Sequence, residues 1–251
     1  MHRFSFRNTT KPTAFKADAS DGALTLEVYD AIGADFFGNG ITAKGVAEAI
    51  TNAGAFTSIT VRLNSPGGDL FEGVTIYNLL KAQGKPINVK VDGLAASAAS
   101  LIAMAGDTCV MGAGSCMMIH QAMGMVGGYA ADMRQTADIL DTVTSSAADI
   151  YGARTGLKKD DVLKMMTAET WMTPQEAMKQ GFATKVSDYK SMAMAQTFNL
   201  EVFNNVPEEL KAQFKAASAA PVLQPEPEKE EEEDLYLIDI LRKRLELAKR
   251  K

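Results

Sequence analysis

The stretch SITVRLNSPGGDLFEGVTIYNLLKAQ, residues 58–83, carries the pattern that decides the fold. Apolar and polar residues alternate over Ile59–Leu63, which predicts a β-strand, and Leu70–Gln83 predicts a helix. The NSPGGD turn between them, residues 64–69, places two glycines after a proline, where the backbone can take conformations closed to other residues. A strand, a tight turn and a helix in this order predict one half of a βαβ unit.

The same alternation of short β-rich segments and helices continues on both sides of this stretch. Strands separated by helices of this length favour right-handed βαβ crossovers and therefore an α/β fold. The other predicted strands are Leu24–Tyr29, Ile87–Val91, Thr108–Met111 and Met117–Ile119. The other predicted helices are Thr42–Asn52, Ser97–Ala105, a long one from about Ala130 to Arg154, and two short ones at 159–167 and 174–180.

The two ends of the chain differ in composition from this middle part. Residues 1–21 are polar and aperiodic and predict an N-terminal arm, and the alternation of strands and helices spans 22–190. Residues 191–234 predict a linker that is acidic and disordered towards its end, because its like charges and few large apolar residues cannot offset the entropy of ordering. Residues 235–251 predict a basic amphipathic helix that forms against a partner, with a solubilising tail as the alternative.

Charge and cysteine usage exclude several classes of function. Seven acidic residues and one lysine between 226 and 234 account for more than the whole net charge of −5, so the body is near neutral and gives no reason to expect nucleic-acid binding. No run of 18 apolar residues predicts a membrane span. Cys109 and Cys116 lack metal-site spacing and predict buried thiols, hence a cytoplasmic protein without metal or other cofactor.

Three segments hold the candidate chemistry, and each alone has an ordinary structural explanation. Of the two histidines, His2 lies in the polar arm, so a histidine base would be His120, although a lone histidine is more often a core residue. DGLAASAASLIAMAG, residues 92–106, predicts a sharp strand-to-helix turn that exposes Ser97 beside unpaired helix amides, with Ser97 as a simple N-cap the alternative. NSPGGD is explained equally well as a tight turn.

Taken together, NSPGG at 64–68, GLAAS at 93–97 and MMIHQ at 117–121 resemble the Clp protease family over roughly residues 22–190. The resemblance implies a ClpP/crotonase-like spiral of βαβ units with a long protruding helix. It implies Ser97 as nucleophile, His120 as general base, and the amides of Gly68 and Ala98 as the oxyanion hole. By the same resemblance, the strand at Gly127 and Gly128 would line the substrate groove, and the long helix would join two rings.

The third member of a Ser–His–carboxylate site is less clearly marked. The family has an Asp two residues before an aromatic residue, and here Glu169 precedes Trp171 by two, with 49 residues separating it from His120. Glu169 is therefore the candidate, and the additional methylene of Glu departs from the family pattern. Asp160 and Asp161 open a predicted helix, where acidic side chains are ordinarily structural. The alternative is that no carboxylate contacts His120 directly.

The resemblance implies a serine endopeptidase that assembles into stacked heptameric rings and cleaves peptide or protein substrates. EVYDAIGADFFGNGITAKGVAEAI, residues 27–50, is similar to the phage and prophage branch, whose members mature the head by cutting capsid and scaffold proteins. The alternative is a housekeeping subunit fed by an ATP-dependent AAA+ unfoldase, and the chain itself has no GxxxxGK[ST] phosphate loop. A crotonase-type acyl-CoA enzyme and a catalytically inactive assembly protein are two further candidate functions.

Overall fold

A computed structural model of the chain describes residues 16–35, 39–190 and 198–212. Most of the predicted arm, the acidic part of the predicted linker and the predicted helix at 235–251 lie outside the described residues. Eight strands are described: β1 Lys16–Ser20, β2 Ala23–Val28, β3 Ser58–Ser65, β4 Ile87–Ala96, β5 Thr108–Ala113, β6 Cys116–Ile119, β7 Thr170–Met172 and β8 Lys185–Lys190. Six α-helices connect them: α1 Ala43–Asn52, α2 Leu70–Lys81, α3 Ala98–Ala103, α4 Ala130–Thr155, α5 Lys159–Thr167 and α6 Pro174–Lys179.

The strands form a mixed sheet in the order β1-β2-β3-β4-β5-β8, with β6 pairing β4 and β7 pairing β6. The pairs from β2 through β5 to β8 are parallel, whereas β1 and β7 run antiparallel to their neighbours. Parallel neighbours joined by helices confirm the predicted α/β class. The apolar positions of β2, β3 and β4 alternate inward, and Leu24, Ile59, Val61, Leu63 and Val89 are completely buried.

Strand β4 changes partners along its length, and this change creates the site. Its first half, Asn88–Val91, pairs with β5, and its second half, Leu94–Ala96, pairs with β6. The β3–β4 register shifts between Leu63 and Ser65, where Asn64 Oδ1 accepts a hydrogen bond of 3.1 Å from the Leu94 amide. Beyond the shift, Ser65 still pairs with Ala95, so β3 supports the end of β4 on one edge while β6 pairs with it on the other.

The predicted end of this strand at Val91 is wrong by five residues, because β4 continues to Ala96. The continuation takes the strand through Asp92, and carboxylates are rarely buried without partners. In the structure Asp92 is buried and accepts hydrogen bonds from the Tyr29 hydroxyl at 2.6 Å and from Arg62 Nε at 2.8 Å. Helix α3 accordingly begins at Ala98, one residue later than predicted.

Two segments that composition placed outside the catalytic domain pack against it. Strand β1 lies within the predicted arm, and its exposed residues pair with β2 through the main chain alone, so no apolar pattern marked it. In the predicted linker, apolar side chains between Phe198 and Leu210 are buried against Leu94, Ala96 and Met118. Residues that pack against this domain therefore continue beyond residue 190, the predicted boundary.

Candidate active site

Ser97 lies on a sharp turn between β4 and α3. Its backbone has φ 53° and ψ −125°, a conformation that side-chain-bearing residues rarely adopt and that is often found at functional sites. From Val91 to Gly106 every residue except Ser97 is buried. The Ser97 side chain makes no capping hydrogen bond to α3, so a simple N-cap role does not explain it. The turn presents one hydroxyl group at the surface of an otherwise buried segment.

His120 follows directly after β6 and contacts this hydroxyl. The distance from His120 Nε2 to Ser97 Oγ is 2.7 Å, a normal hydrogen-bond length. The pairing of Leu94–Ala96 with Cys116–Met118 sets this proximity, and the Ser97 amide donates to Met118 O at 2.9 Å. Two residues 23 positions apart in the sequence are thus held together by one strand pair.

The NSPGGD turn runs alongside the Ser97 turn. At Gly67 an added Cβ would lie 2.5 Å from Ala96 O and 2.7 Å from Ser97 Cβ, and at Gly68, with φ 147°, it would lie 2.1 Å from Ile32 O. Both glycines are therefore required by close backbone approach. Within the described part of the chain, neither the Gly68 amide nor the Ala98 amide donates a hydrogen bond. Ala98 follows Ser97 directly and Gly68 lines the same cavity as Ser97, so these two N–H groups are the candidates to bind an acceptor from outside the chain.

Two opposing influences act on the protonation of His120. Burial lowers the pKa of its imidazole, and this is the larger influence, while the negative charge of Glu169 raises it. The net shift is downward from the ordinary value of 6.5. A lowered pKa keeps the ring neutral at pH 7, the state in which Nε2 can accept a proton from Ser97.

Glu169 is buried near His120, but its carboxylate binds other groups. It accepts hydrogen bonds from the amides of Asn205 at 2.6 Å and Asn204 at 2.9 Å, and from Trp171 Nε1 at 3.2 Å. No hydrogen bond joins Glu169 to His120 among the residues that the structure describes. Its influence on His120 is therefore electrostatic, exerted without a hydrogen bond among the described residues.

The two remaining candidate carboxylates, Asp160 and Asp161, lie in the first turn of α5. Both are exposed, and Asp161 pairs with Lys164 at 3.0 Å. Both aspartates stabilise the N-terminus of α5, which is the ordinary structural role of acidic residues in the first turn of a helix.

A cavity of about 650 Å³ opens beside Ser97 and His120. Its walls include Ile32, Leu101, Leu140, Val143 and Met166, so apolar surface adjoins the Ser–His pair. Gly127 and Gly128, which the resemblance assigned to a substrate groove, are exposed and do not line this cavity. Residues 120–128 form no regular strand in the structure.

The described residues give little support for a metal site, a membrane span or a reactive thiol. They contain no group of three or more His, Cys, Asp or Glu side chains arranged to hold a metal ion. None of the helices in this part of the chain is both long and apolar enough to cross a membrane. Burial raises the pKa of the Cys109 thiol to about 12 and that of Cys116 to about 11, so both thiols stay protonated and unreactive.

Three residues next to the site were missed from the sequence, because they fall in the predicted linker. The Phe203 ring contacts the His120 ring edge-on, with 5.5 Å between centroids, and Asn204 and Asn205 donate to Glu169. A signal for them exists in the six large apolar residues of FNLEVFNNVPEEL, residues 198–210, which set this stretch apart from the acidic run after it.

Comparison with known proteins agrees with this arrangement. The model of the Clp protease family matches residues 46–190. The chain is 31% identical over 132 residues to the ATP-dependent Clp protease proteolytic subunit of Deinococcus radiodurans, and 32% identical over 130 residues to that of Bacteroides fragilis. These matches cover 52% and 51% of this chain and 65% and 63% of the two relatives, a little under two thirds of their length.

A solved structure, a ClpP1 mutant from Listeria monocytogenes, shares the fold. It superposes with a TM-score of 0.58 at 20% identity, and the match covers 66% of this chain and 92% of that one. The spiral α/β fold predicted from the sequence is confirmed by this likeness. With the family match extending over more than half of the residues and including Ser97, His120 and Glu169, the chain belongs to the Clp protease family.

Proposed function

We propose that this protein is a serine endopeptidase of the Clp type, with Ser97 as nucleophile and His120 as general base. One observation carries the proposal: His120 Nε2 lies 2.7 Å from Ser97 Oγ, beside the unpaired amides of Gly68 and Ala98. A nucleophile, a base and two oxyanion donors around one point are what acyl transfer requires. A crotonase-type enzyme has no need of the Ser97–His120 pair.

The catalytic cycle follows from these positions. Ser97 Oγ attacks the scissile carbonyl while its proton passes to His120 Nε2, and the amides of Gly68 and Ala98 bind the resulting oxyanion. The tetrahedral intermediate collapses as His120 gives the proton to the leaving amine, and an acyl-enzyme remains. Water, deprotonated by His120, then hydrolyses the acyl-enzyme. The charge of Glu169 stabilises the imidazolium that forms in each half of the cycle.

Replacing Ser97 by Ala tests the proposal. We expect Ser97→Ala to lower hydrolysis of a fluorogenic peptide by about 10⁶-fold, the loss typical of a missing triad serine. Labelling by a serine-directed fluorophosphonate should disappear in the same variant. Ser146→Ala is the matched control, because Ser146 is exposed on α4, away from the site. Full hydrolysis by Ser97→Ala would show that the site assignment is wrong.

For the substrate, we infer processing of phage capsid or scaffold protein by a homo-oligomeric ring in the cytoplasm. The similarity of residues 27–50 to the phage branch and the acidic and basic segments at 226–251 support this inference. Deleting residues 221–251 should then leave peptide cleavage unchanged and impair processing of the assembled capsid. Equal processing by the shortened protein would count against it.

The alternative is a subunit that receives unfolded chains from an ATP-dependent unfoldase. Its support is that the relatives from Deinococcus radiodurans and Bacteroides fragilis are named as subunits of an ATP-dependent protease. Degradation of a folded protein that requires both ATP and an added unfoldase, with no cleavage of capsid protein, would favour this alternative.

A further inference from the structure

Residues 198–210, which we call the C-terminal clasp, pack against the two strands that carry the site. Six clasp side chains are buried: Phe198, Leu200, Val202, Phe203, Val206 and Leu210. They cover Leu94 and Ala96 of β4 and Met118 of β6, which lie within three residues of Ser97 or His120. The clasp lies beyond the region matched by the family model, which ends at residue 190.

One clasp side chain contacts the histidine directly. The ring of Phe203 is 5% exposed and meets the His120 ring at an interplanar angle of 88°. On another side it meets the Trp171 ring at 80°, with 5.6 Å between centroids. Edge-to-face contacts of this kind fix ring orientation, so Phe203 restricts the rotation of His120 about its side-chain bonds.

The clasp also fixes the carboxylate that acts on His120. The amides of Asn204 and Asn205, the two residues after Phe203, each donate to a different oxygen of Glu169. Hydrogen bonds from N–H groups to a carboxylate are stronger than neutral ones and hold its orientation. Consecutive clasp residues thus hold the imidazole and the negative charge at the same time.

We propose that Phe203 is a positioning residue for His120, and that the clasp replaces a direct carboxylate–histidine hydrogen bond, which is absent among the residues that the structure describes. The inference rests on the proposed peptidase function, because positioning matters only if His120 acts as the base. An imidazole without a hydrogen-bonded carboxylate needs another constraint to keep Nε2 directed at Ser97 Oγ. The packed ring of Phe203 supplies that constraint.

The test compares three variants of the full-length chain. Phe203→Ala removes the ring, Phe203→Leu keeps most of its apolar volume, and Leu210→Ala weakens clasp packing without touching His120 or Glu169. We expect Phe203→Ala to lower kcat about tenfold with KM nearly unchanged. This loss is smaller than the roughly 10²–10⁴-fold that a general base contributes, because His120 itself is still present. Phe203→Leu should recover most of this loss. Leu210→Ala should lower thermal stability but leave the pH profile of kcat/KM unchanged.

A second measurement follows His120 without relying on activity. Removing the Phe203 ring reduces the burial of His120, and since burial lowers its pKa, Phe203→Ala should raise that pKa. Because the chain has two histidines, NMR titration of histidine-labelled protein follows the His120 signal, with His2→Gln to assign it. An absence of peptide hydrolysis in the wild type would overturn the proposed function, while the titration would still test the Phe203 contact.

Three results would overturn the positioning role of Phe203. The first is an unchanged kcat and an unchanged His120 titration in Phe203→Ala. The second is equal loss of kcat in Phe203→Ala and Leu210→Ala, which would give the clasp a purely stabilising role. The third is a rise in kcat when the ring is removed, since the clasp would then restrain the site instead of ordering it.

Discussion

Glu169 is the carboxylate that the family resemblance assigns to the site, yet it binds main-chain amides and Trp171 instead of the histidine. The longer Glu side chain and a left-handed backbone, φ 49°, accompany this arrangement. Its negative charge still favours the protonated form of His120, against the larger effect of burial. Support for the base is therefore divided between a charge at a distance and a packed aromatic ring.

Neutralising Glu169 should change the pH dependence in a defined direction. The base works when deprotonated, so kcat/KM rises with pH through the pKa of His120. Because the Glu169 charge raises that pKa, Glu169→Gln should move the acid limb of the profile to lower pH, opposite to the shift expected for Phe203→Ala. We expect kcat to fall by about tenfold, less than the roughly 10⁴-fold found when a directly bonded carboxylate is neutralised.

The control for this variant is Glu201→Gln, which removes an exposed carboxylate from the same clasp. It should leave both kcat and the pH profile at wild-type values. An acid limb that stays in place, or moves upward, in Glu169→Gln would contradict the electrostatic role.

Helices α3 and α4 are joined by a hydrogen bond between two buried hydroxyl groups, one of which also binds the main chain of Ser97. Ser100 Oγ donates to Ser97 O at 2.6 Å and lies 2.8 Å from the Tyr151 hydroxyl. Since the Ser100 proton is used by Ser97 O, the Tyr151 hydroxyl is the donor in the second bond. This chain of bonds connects the long helix to the strained turn at Ser97, where it helps to offset the cost of the unfavourable backbone conformation.

Tyr151→Phe removes the hydroxyl group that bonds to Ser100 and keeps the aromatic ring. We expect the free energy of unfolding to fall by about 1 kcal/mol, the usual net value of one hydrogen bond, as measured by urea denaturation. A small loss of kcat should accompany it, because the anchor of the Ser97 carbonyl is weakened. Tyr77→Phe is the matched control, because the Tyr77 hydroxyl has no hydrogen bond to the described residues. Equal stability of Tyr151→Phe and the wild type would contradict this view of the helix contact.

Over the part of the molecule that the structure describes, exposed apolar side chains concentrate before and along the first half of α4. Met125 is 72% exposed, Tyr129 86% and Ile139 51%. Large apolar side chains exposed close together in the sequence are typical of an interaction site. We propose that a second copy of the chain covers it, in line with the rings implied by the family.

Ile139→Asp tests this assembly surface. A buried, unpaired carboxylate at an interface is costly, so the variant should shift the protein to smaller species in native mass spectrometry. Met178→Asp is the control, because Met178 is similarly exposed but lies on α6. Identical assembly of the wild type and Ile139→Asp would rule out α4 as the contact surface.

Local sequence was enough to predict the α/β class, whereas the three segments that form the site were identified only in combination, through their resemblance to the Clp protease family. Alternating apolar residues in β3, glycines where backbones approach closely, and a serine at a strand-to-helix turn are short-range patterns, because each follows from a residue and its near neighbours. The long helix was predicted within one residue of its observed bounds for the same reason.

Contacts between distant segments could not be predicted from these short-range patterns. The continuation of β4 through Asp92 depends on Tyr29 and Arg62, and the surroundings of His120 and Glu169 depend on Phe203, Asn204 and Asn205. Composition describes what a segment can form alone, whereas burial of a polar group is decided by the partners that the folded chain brings to it. Residues 198–210 become part of the site because β4 and β6 offer an apolar surface for their six large apolar side chains to cover.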